Sequence, residues 1–157
     1  MGEEPVLSVR AGILKFSAQL FLNRLLGHVE SMESIQLALF KLLDDNPAIS
    51  FSTPTYVLPA FAQLLQSQME MGQEMHFRQS LQLFRSMRFL SPSGNANALE
   101  LGYLLEVQFC LFHNLFNGLQ QLEPELMRYF SEFKNKTLNL RQAETLTLWC
   151  FYLVLSE

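Results

Sequence analysis

An all-helical fold of about seven helices in antiparallel pairs is what this sequence predicts, and three observations predict it. Leu, Ile, Val and Phe recur at steps of three and four through most of the chain, the period of a helix with one buried side. Gly and Pro fall mainly between these periodic segments, where they stop and start helices. Hydrophobic residues make up 49% of the 157 positions against 17% charged, enough apolar material for a packed core. A chain of this length reads as a single domain that needs no metal or disulfide.

The first helix is expected from Pro5, a favoured first helical residue, to about Leu26, with Gly27 as its stop. Val6, Val9, Ile13, Phe16 and Leu20 form its apolar stripe, widened by Leu14, Phe21 and Leu25. A second helix runs from Ser31 or Ser34 to Leu43, with Met32 leading into Ile35, Leu39 and Leu42, and Asp44-Asp45-Asn46-Pro47 ends it. Ser50 to Thr53 is a connector. Thr53 then caps a third helix with Pro54 at its first position, unless the helix starts at Pro59; Val57, Phe61, Leu64 and Leu65 are its buried side and Gly72 closes it.

A fourth helix, Glu74 to Leu90, buries Phe77, Leu81, Phe84 and Met87. Ser91-Pro92-Ser93-Gly94-Asn95 reads as a turn, which places the main internal loop at 91–97. The fifth helix follows from about Ala98 to Asn117, with Leu101, Leu105, Phe109, Phe112, Phe116 and Leu119 in unbroken spacing and Leu104, Leu111 and Leu115 on further sides, so it is expected at the centre of the fold. Glu123-Pro124 opens a short sixth helix carrying Leu126, Phe130 and Phe133, ended by Asn135-Lys136. The last helix opens at Asn139 with Gln142 three residues on, the spacing of a capping box, and Ala143, Leu146, Cys150 and Leu153 keep helical steps.

Charge and motifs narrow the function classes. The net charge is -4 and the eleven basic residues are scattered, which disfavours nucleic-acid binding. The apolar stretch Leu101 to Leu119 is interrupted by Glu106, Gln108, His113 and Asn114, so no membrane insertion is expected. Met1-Gly2-Glu3-Glu4-Pro5 lacks the basic and apolar regions of a secretory signal, and an intracellular location, cytoplasmic or nuclear, is expected. Cys110 and Cys150 sit in apolar helical runs and read as small buried hydrophobes.

No phosphate-cradling glycine loop, nucleophile elbow, HExxH or CxxC is present, so no cofactor, metal site or catalytic residue is assigned and the chain reads as a non-enzyme. Cys110 and His113, three apart, are the one pair that could serve a dispersed thiol-imidazole site; a core cysteine beside a boundary histidine explains the same spacing. His28 and His76 have no partner cluster for zinc. Two features suit a protein partner. Arg78, Arg85 and Arg88 lie along one side of the fourth helix, as a docking edge or a solvated face. Met69, Met71 and Met75 surround the Gly72 turn, where flexible thioethers suit adaptable apolar contact or core filling.

The segment Glu4-Pro5-Val6-Leu7-Ser8-Val9-Arg10-Ala11-Gly12-Ile13-Leu14-Lys15-Phe16 resembles the second half of a HEAT or armadillo repeat, in which a turn leads into a Val-Arg pair, small residues and an apolar helix. The match covers about Pro5 to Leu26; later helices carry no Val-Arg counterpart, and no fixed repeat period emerges from the rest. The resemblance implies an α-solenoid, with Arg10 tying adjacent repeats together, as the alternative to an irregular helical bundle. Its uncapped ends point to a fragment or short isoform of a longer helical-repeat protein. The expected role is a scaffold or adaptor for protein partners, among them the rest of a longer parent chain. The alternatives are a compact bundle with an apolar groove for an amphipathic helix or lipid, and an enzyme with a dispersed Cys/His site.

Overall fold

In the computed structural model, residues 3–49 and 54–156 are described, without the side chains of residues 3–7 and 54. The predicted Thr53 cap, the Ser50 to Thr53 connector and the buried Val6 therefore lie outside the described residues. Among the described residues the chain is all-helical, with no strand and seven helices: α1 Glu3–Leu26, α2 Val29–Asp44, α3 Pro54–Glu70, α4 Glu74–Ser86, α5 Pro92–Phe112, α6 Phe116–Ser131 and α7 Leu140–Leu155. Their contacts divide the chain into two compact units, Met1–Ala98 and Leu99–Glu157, where the sequence predicts one domain.

In the first unit α1 packs along both α2 and α3, and α3 also receives α2 and α4. Ile13 and Leu20 of α1, Leu39 and Leu43 of α2, Phe61, Leu64 and Leu65 of α3, and Phe77 and Phe84 of α4 are all buried. Phe61 and Phe84 put their ring centroids 4.8 Å apart, and burying such a ring contributes roughly 1.5–3 kcal/mol. Leu14, Phe21 and Leu25, expected to widen the buried stripe of α1, are instead exposed. Arg24 ties α1 to α3: its guanidinium donates to Gln63 Oε1 at 2.7 Å and Gln66 Oε1 at 3.1 Å and pairs with the Glu70 carboxylate. Arg10, to which the repeat resemblance assigns a tying role, is half-buried, and its Nε has no hydrogen-bond partner among the described residues.

In the second unit α5, α6 and α7 share a core of Tyr103, Val107, Cys110, Leu119, Leu122, Leu126, Trp149 and Tyr152. Residues 101–105 are buried without a break, so α5 is covered on more than one side, as its all-round apolar sequence predicts. The capping box at α7 is present: Asn139 Oδ1 accepts from the Gln142 N–H at 3.0 Å, and the Asn139 N–H donates to Gln142 Oε1 at 3.0 Å. Gln142 Nε2 also donates to Glu100 at 2.9 Å and to Tyr129 Oη at 3.0 Å, which joins all three helices.

Four expected boundaries are corrected. First, α4 ends at Ser86 rather than Leu90, because Met87 turns extended at ψ 143°. The Phe89 N–H and C=O are then held by the Asn95 side chain at 3.0 and 2.7 Å. Second, the loop expected at 91–97 is the start of α5. Ser91 is its cap, accepting from the Gly94 N–H at 3.0 Å, and Pro92 is its first residue, so a Ser-Pro read as a turn is a helix start. Third, α5 stops at Phe112, which leaves Phe112 exposed, and α6 begins at Phe116 instead of Glu123. Pro59 and Pro124 both lie inside helices, at exposed positions where the carbonyl each leaves unbonded can be hydrated. Fourth, Phe133 lies beyond α6, which ends at Ser131. In α7, Trp149 takes the buried position and its neighbour Cys150, expected in the core, turns outward by the 100° that one helical residue imposes.

Three links between consecutive helices share one geometry. Gly27, Gly72 and Asn114 sit at φ 69°, 66° and 55°, the left-handed region that ends a helix. The following residues, His28, Gln73 and Leu115, have φ/ψ of -82°/73°, -86°/69° and -87°/61°. Each pair closes the preceding helix by the same two bonds. His28, Gln73 and Leu115 donate to the carbonyls five residues back at 2.9, 2.9 and 2.7 Å, and Gly27, Gly72 and Asn114 donate to those three back at 3.3, 3.1 and 3.2 Å. So short a link makes a helical hairpin. Counted from the left-handed residue, burial repeats as well: Leu20, Leu65 and Val107 seven before it, Met32, Phe77 and Leu119 five after it, Leu39, Phe84 and Leu126 twelve after it. Phe16, Phe61 and Tyr103 stand eleven before it, an aromatic ring in each hairpin.

Candidate functional site

A cavity of about 120 Å³ opens in the first unit between α2 and α4, over α3. Its lining follows from helical spacing. Glu33, Gln36, Leu37 and Phe40 come from one side of α2, His76, Gln79 and Ser80 from one side of α4, and Gln68 from the last turns of α3. Two of the polar members, Gln36 and Ser80, fall on the phase that α2 and α4 otherwise use for core residues. Gln36 lies between Met32 and Leu39, and Ser80 beside Phe77 and Leu81, all buried.

Among these groups Gln36 is anchored, and one atom each of Gln68 and Ser80 is not. Gln36 Nε2 donates to Ser67 Oγ at 2.9 Å and points at the Met71 sulfur at 3.4 Å, while Ser67 Oγ donates to the Leu64 carbonyl at 2.7 Å. Gln68 is 3% exposed and Ser80 0% exposed, yet Gln68 Oε1 and Ser80 Oγ have no hydrogen-bond partner among the described residues. Nearly all buried polar groups have one, so these two atoms mark a place where the fold supplies hydrogen-bonding capacity and does not use it. Leu37, half-exposed, and Phe40 give the mouth an apolar wall, and Glu33 gives it a carboxylate.

The residues singled out from sequence are only partly brought together. Met69 and Met71 are half-buried and Met75 is 72% exposed, so one of the three methionines of the α3–α4 turn offers its thioether freely to a surface contact. That turn borders the cavity through Gln68 and His76. Arg78 is exposed and paired with Glu74 at 2.9 Å one turn back. Arg85 is exposed in the last turn of α4. Arg88, expected on the same side of that helix, lies beyond its end, and its Nη1 donates to the carbonyls of Arg85 and Met87 at 3.0 and 3.1 Å. The stripe of three is therefore two helical arginines and a third that binds the helix terminus.

Cys110 is 2% exposed inside the core of the second unit. The His113 ring lies tilted against Phe109 and edge-on to Phe112, with centroids 4.7 and 5.2 Å away. Among the described residues there is no group of three metal-ligating side chains and no helix long and apolar enough to cross a membrane. Gln36, Gln68 and Ser80 went unnoticed in the sequence. Their signal, a polar residue on the apolar phase of an amphipathic helix, is legible only once the burial of each face is known. Comparison with protein-family models, with curated proteins and with solved structures finds no match to this chain.

Proposed function

We propose that the chain is a non-catalytic helical-repeat scaffold of the armadillo/HEAT kind that works inside the cell by offering helix surfaces to a protein partner. The observation that carries this reading is the shared link. The left-handed residue moves from 27 to 72 to 114, steps of 45 and 42 residues, with the same dihedral pair and the same closing bonds. Those steps lie within the roughly 40–47 residues of HEAT and armadillo units. Stacked hairpins stabilise one another through neighbour contacts and leave long helix faces open for partners. On this reading Met75, with Arg78 and Arg85 on the same helix, forms an edge of the contact surface beside the cavity.

The test is reconstitution. A protein captured on the intact chain, identified and purified separately, should re-form a stoichiometric complex with it, and Met75→Asp or the pair Arg78→Glu and Arg85→Glu should weaken that complex. A captured protein that does not reconstitute, or a complex indifferent to every one of these changes, would sink the reading. One observation favours a second reading, a groove for an amphipathic helix. Leu14, Phe21 and Leu25 of α1 are exposed along one side of that helix. It predicts that Phe21→Asp, and not the α4 changes, abolishes binding.

A further inference from the structure

We infer that the outward side of α1 is a self-association surface, against which α1 of a second copy packs antiparallel. The inference rests on the second reading, that this side of α1 receives a helix, and it names that helix. α1 has no polar side, and a helix of that kind belongs in an interior. α2 and α3 cover the side that carries Ile13 and Leu20, and the opposite side is open among the described residues. From Ala11 to Leu26 eight residues are exposed, and of these only Lys15 is polar. The five large ones, Leu14, Phe21, Leu22, Leu25 and Leu26, are between 47% and 68% exposed. At roughly 150–200 Å² for a fully exposed residue of this size they offer about 500 Å² on each copy, and two copies together reach the roughly 1,000 Å² at which a specific interface begins.

The order of residues on this side selects a second copy as the occupant. Ala11, Leu14, Ala18, Phe21 and Leu25 follow one another at alternating steps of three and four, the spacing of a coiled-coil seam. In an antiparallel pair whose two-fold axis passes between Gln19 and Leu20, Ala18 of each copy faces Phe21 of the other, and Leu14 faces Leu25. The small residue leaves room for the ring, so the seam is complementary to itself. Lys15 then lies beside Leu22 of the second copy, where its methylene stem covers apolar surface and its ammonium stays in water. A parallel pair fits worse. It sets Phe21 against Phe21 and Ala18 against Ala18, and it brings Arg10 and Lys15, two like charges, together along the flank.

Sedimentation equilibrium of the intact chain tests the pairing. A dimer is expected at about 50 µM, a concentration that detects a dissociation constant of about 10 µM. Phe21→Asp and Leu25→Glu should each weaken association at least about tenfold while circular dichroism stays helical. If Phe21→Asp does not fold, Leu25→Glu carries the test. Orientation is read from two further variants, Leu14→Cys and Leu25→Cys, each combined with Cys150→Ser to remove the exposed native thiol, and oxidised singly and as a mixture. Cross-linking in the mixture, and in neither variant alone, is the antiparallel result. A monomer at that concentration, a dimer indifferent to the folded charge variants, a variant that cross-links to itself, or a mixture that fails to cross-link would overturn the inference. A monomeric chain that still loses a reconstituted partner on Phe21→Asp removes only the self-pairing and leaves the second reading standing.

Discussion

Replacing Gly27 by alanine separates a link residue from a helix residue by the sign of its effect. Within a continuous helix, Gly→Ala stabilises by about 1 kcal/mol. At φ 69° the opposite is expected, because an L side chain in the left-handed region costs roughly 1–2 kcal/mol. A Cβ built on Gly27 meets no atom within 4 Å, so no clash adds to that cost. Part of it is returned by the smaller conformational freedom of alanine in the unfolded chain, which leaves a net loss of about 1 kcal/mol. For a chain of this length that is a fall of about 2–4 °C in Tm. Asn114→Gly, at the equivalent position of the third hairpin, should change stability by less than about 0.5 kcal/mol, since asparagine already tolerates this backbone. Urea and thermal unfolding followed by circular dichroism read both. A neutral or stabilising Gly27→Ala would refute the link geometry at that position, and a loss above about 3 kcal/mol would mean that the added methyl is not in open space.

Removing the clamp between α1 and α3 with Arg24→Gln, Glu70→Gln and the double change should reveal a coupling of about 1 kcal/mol in a double-mutant cycle. It should shrink with added salt because Glu70 is half-exposed; zero coupling would refute the clamp. Asn139→Ala should cost about 1 kcal/mol and speed amide exchange in the first turn of α7, and unchanged exchange there would argue against the capping box. Burial, aided by the Glu100 carboxylate and opposed by the bond from Gln142, raises the Tyr129 hydroxyl above its ordinary value of 10.0. The folded chain therefore keeps a proton that the unfolded chain loses, and stability should fall as pH rises past 10.0, with Tyr129→Phe flattening that decline in alkaline unfolding curves. Brief alkylation of the native protein should label exposed Cys150 and spare Cys110, and rapid labelling of Cys110 would revive a thiol-based chemistry.

What could be read in advance depended on how local its cause is. The α7 capping box needs only Asn139 and Gln142, and the ends of α1 and α3 need only Gly27 and Gly72, so all three were legible. Asn114 does the work of those glycines with a side chain that also suits a helix surface, and the α5–α6 link was therefore missed. Prolines were ambiguous, because a first helical residue and an exposed interior residue look alike in sequence; Pro92 is the former and Pro124 the latter. The recurring link geometry leaves no fixed period in the sequence because its steps differ, and because equivalent positions share burial rather than identity, as Met32, Phe77 and Leu119 do. The cavity was least legible. Whether Gln68 and Ser80 meet solvent or one another's helices is decided by how α2, α3 and α4 pack, and no local pattern states that.

Helical repeats stabilise their neighbours and not the whole chain, and native-state hydrogen exchange tests this directly. The chain would be weakened in α7 alone by combining Asn139→Ala with Trp149→Phe, and the opening free energy of each helix compared with that of the unaltered protein. The account predicts lower values in α5, α6 and α7 and unchanged values in α1 and α2. An equal fall in all seven helices would mean one cooperative bundle and would contradict it.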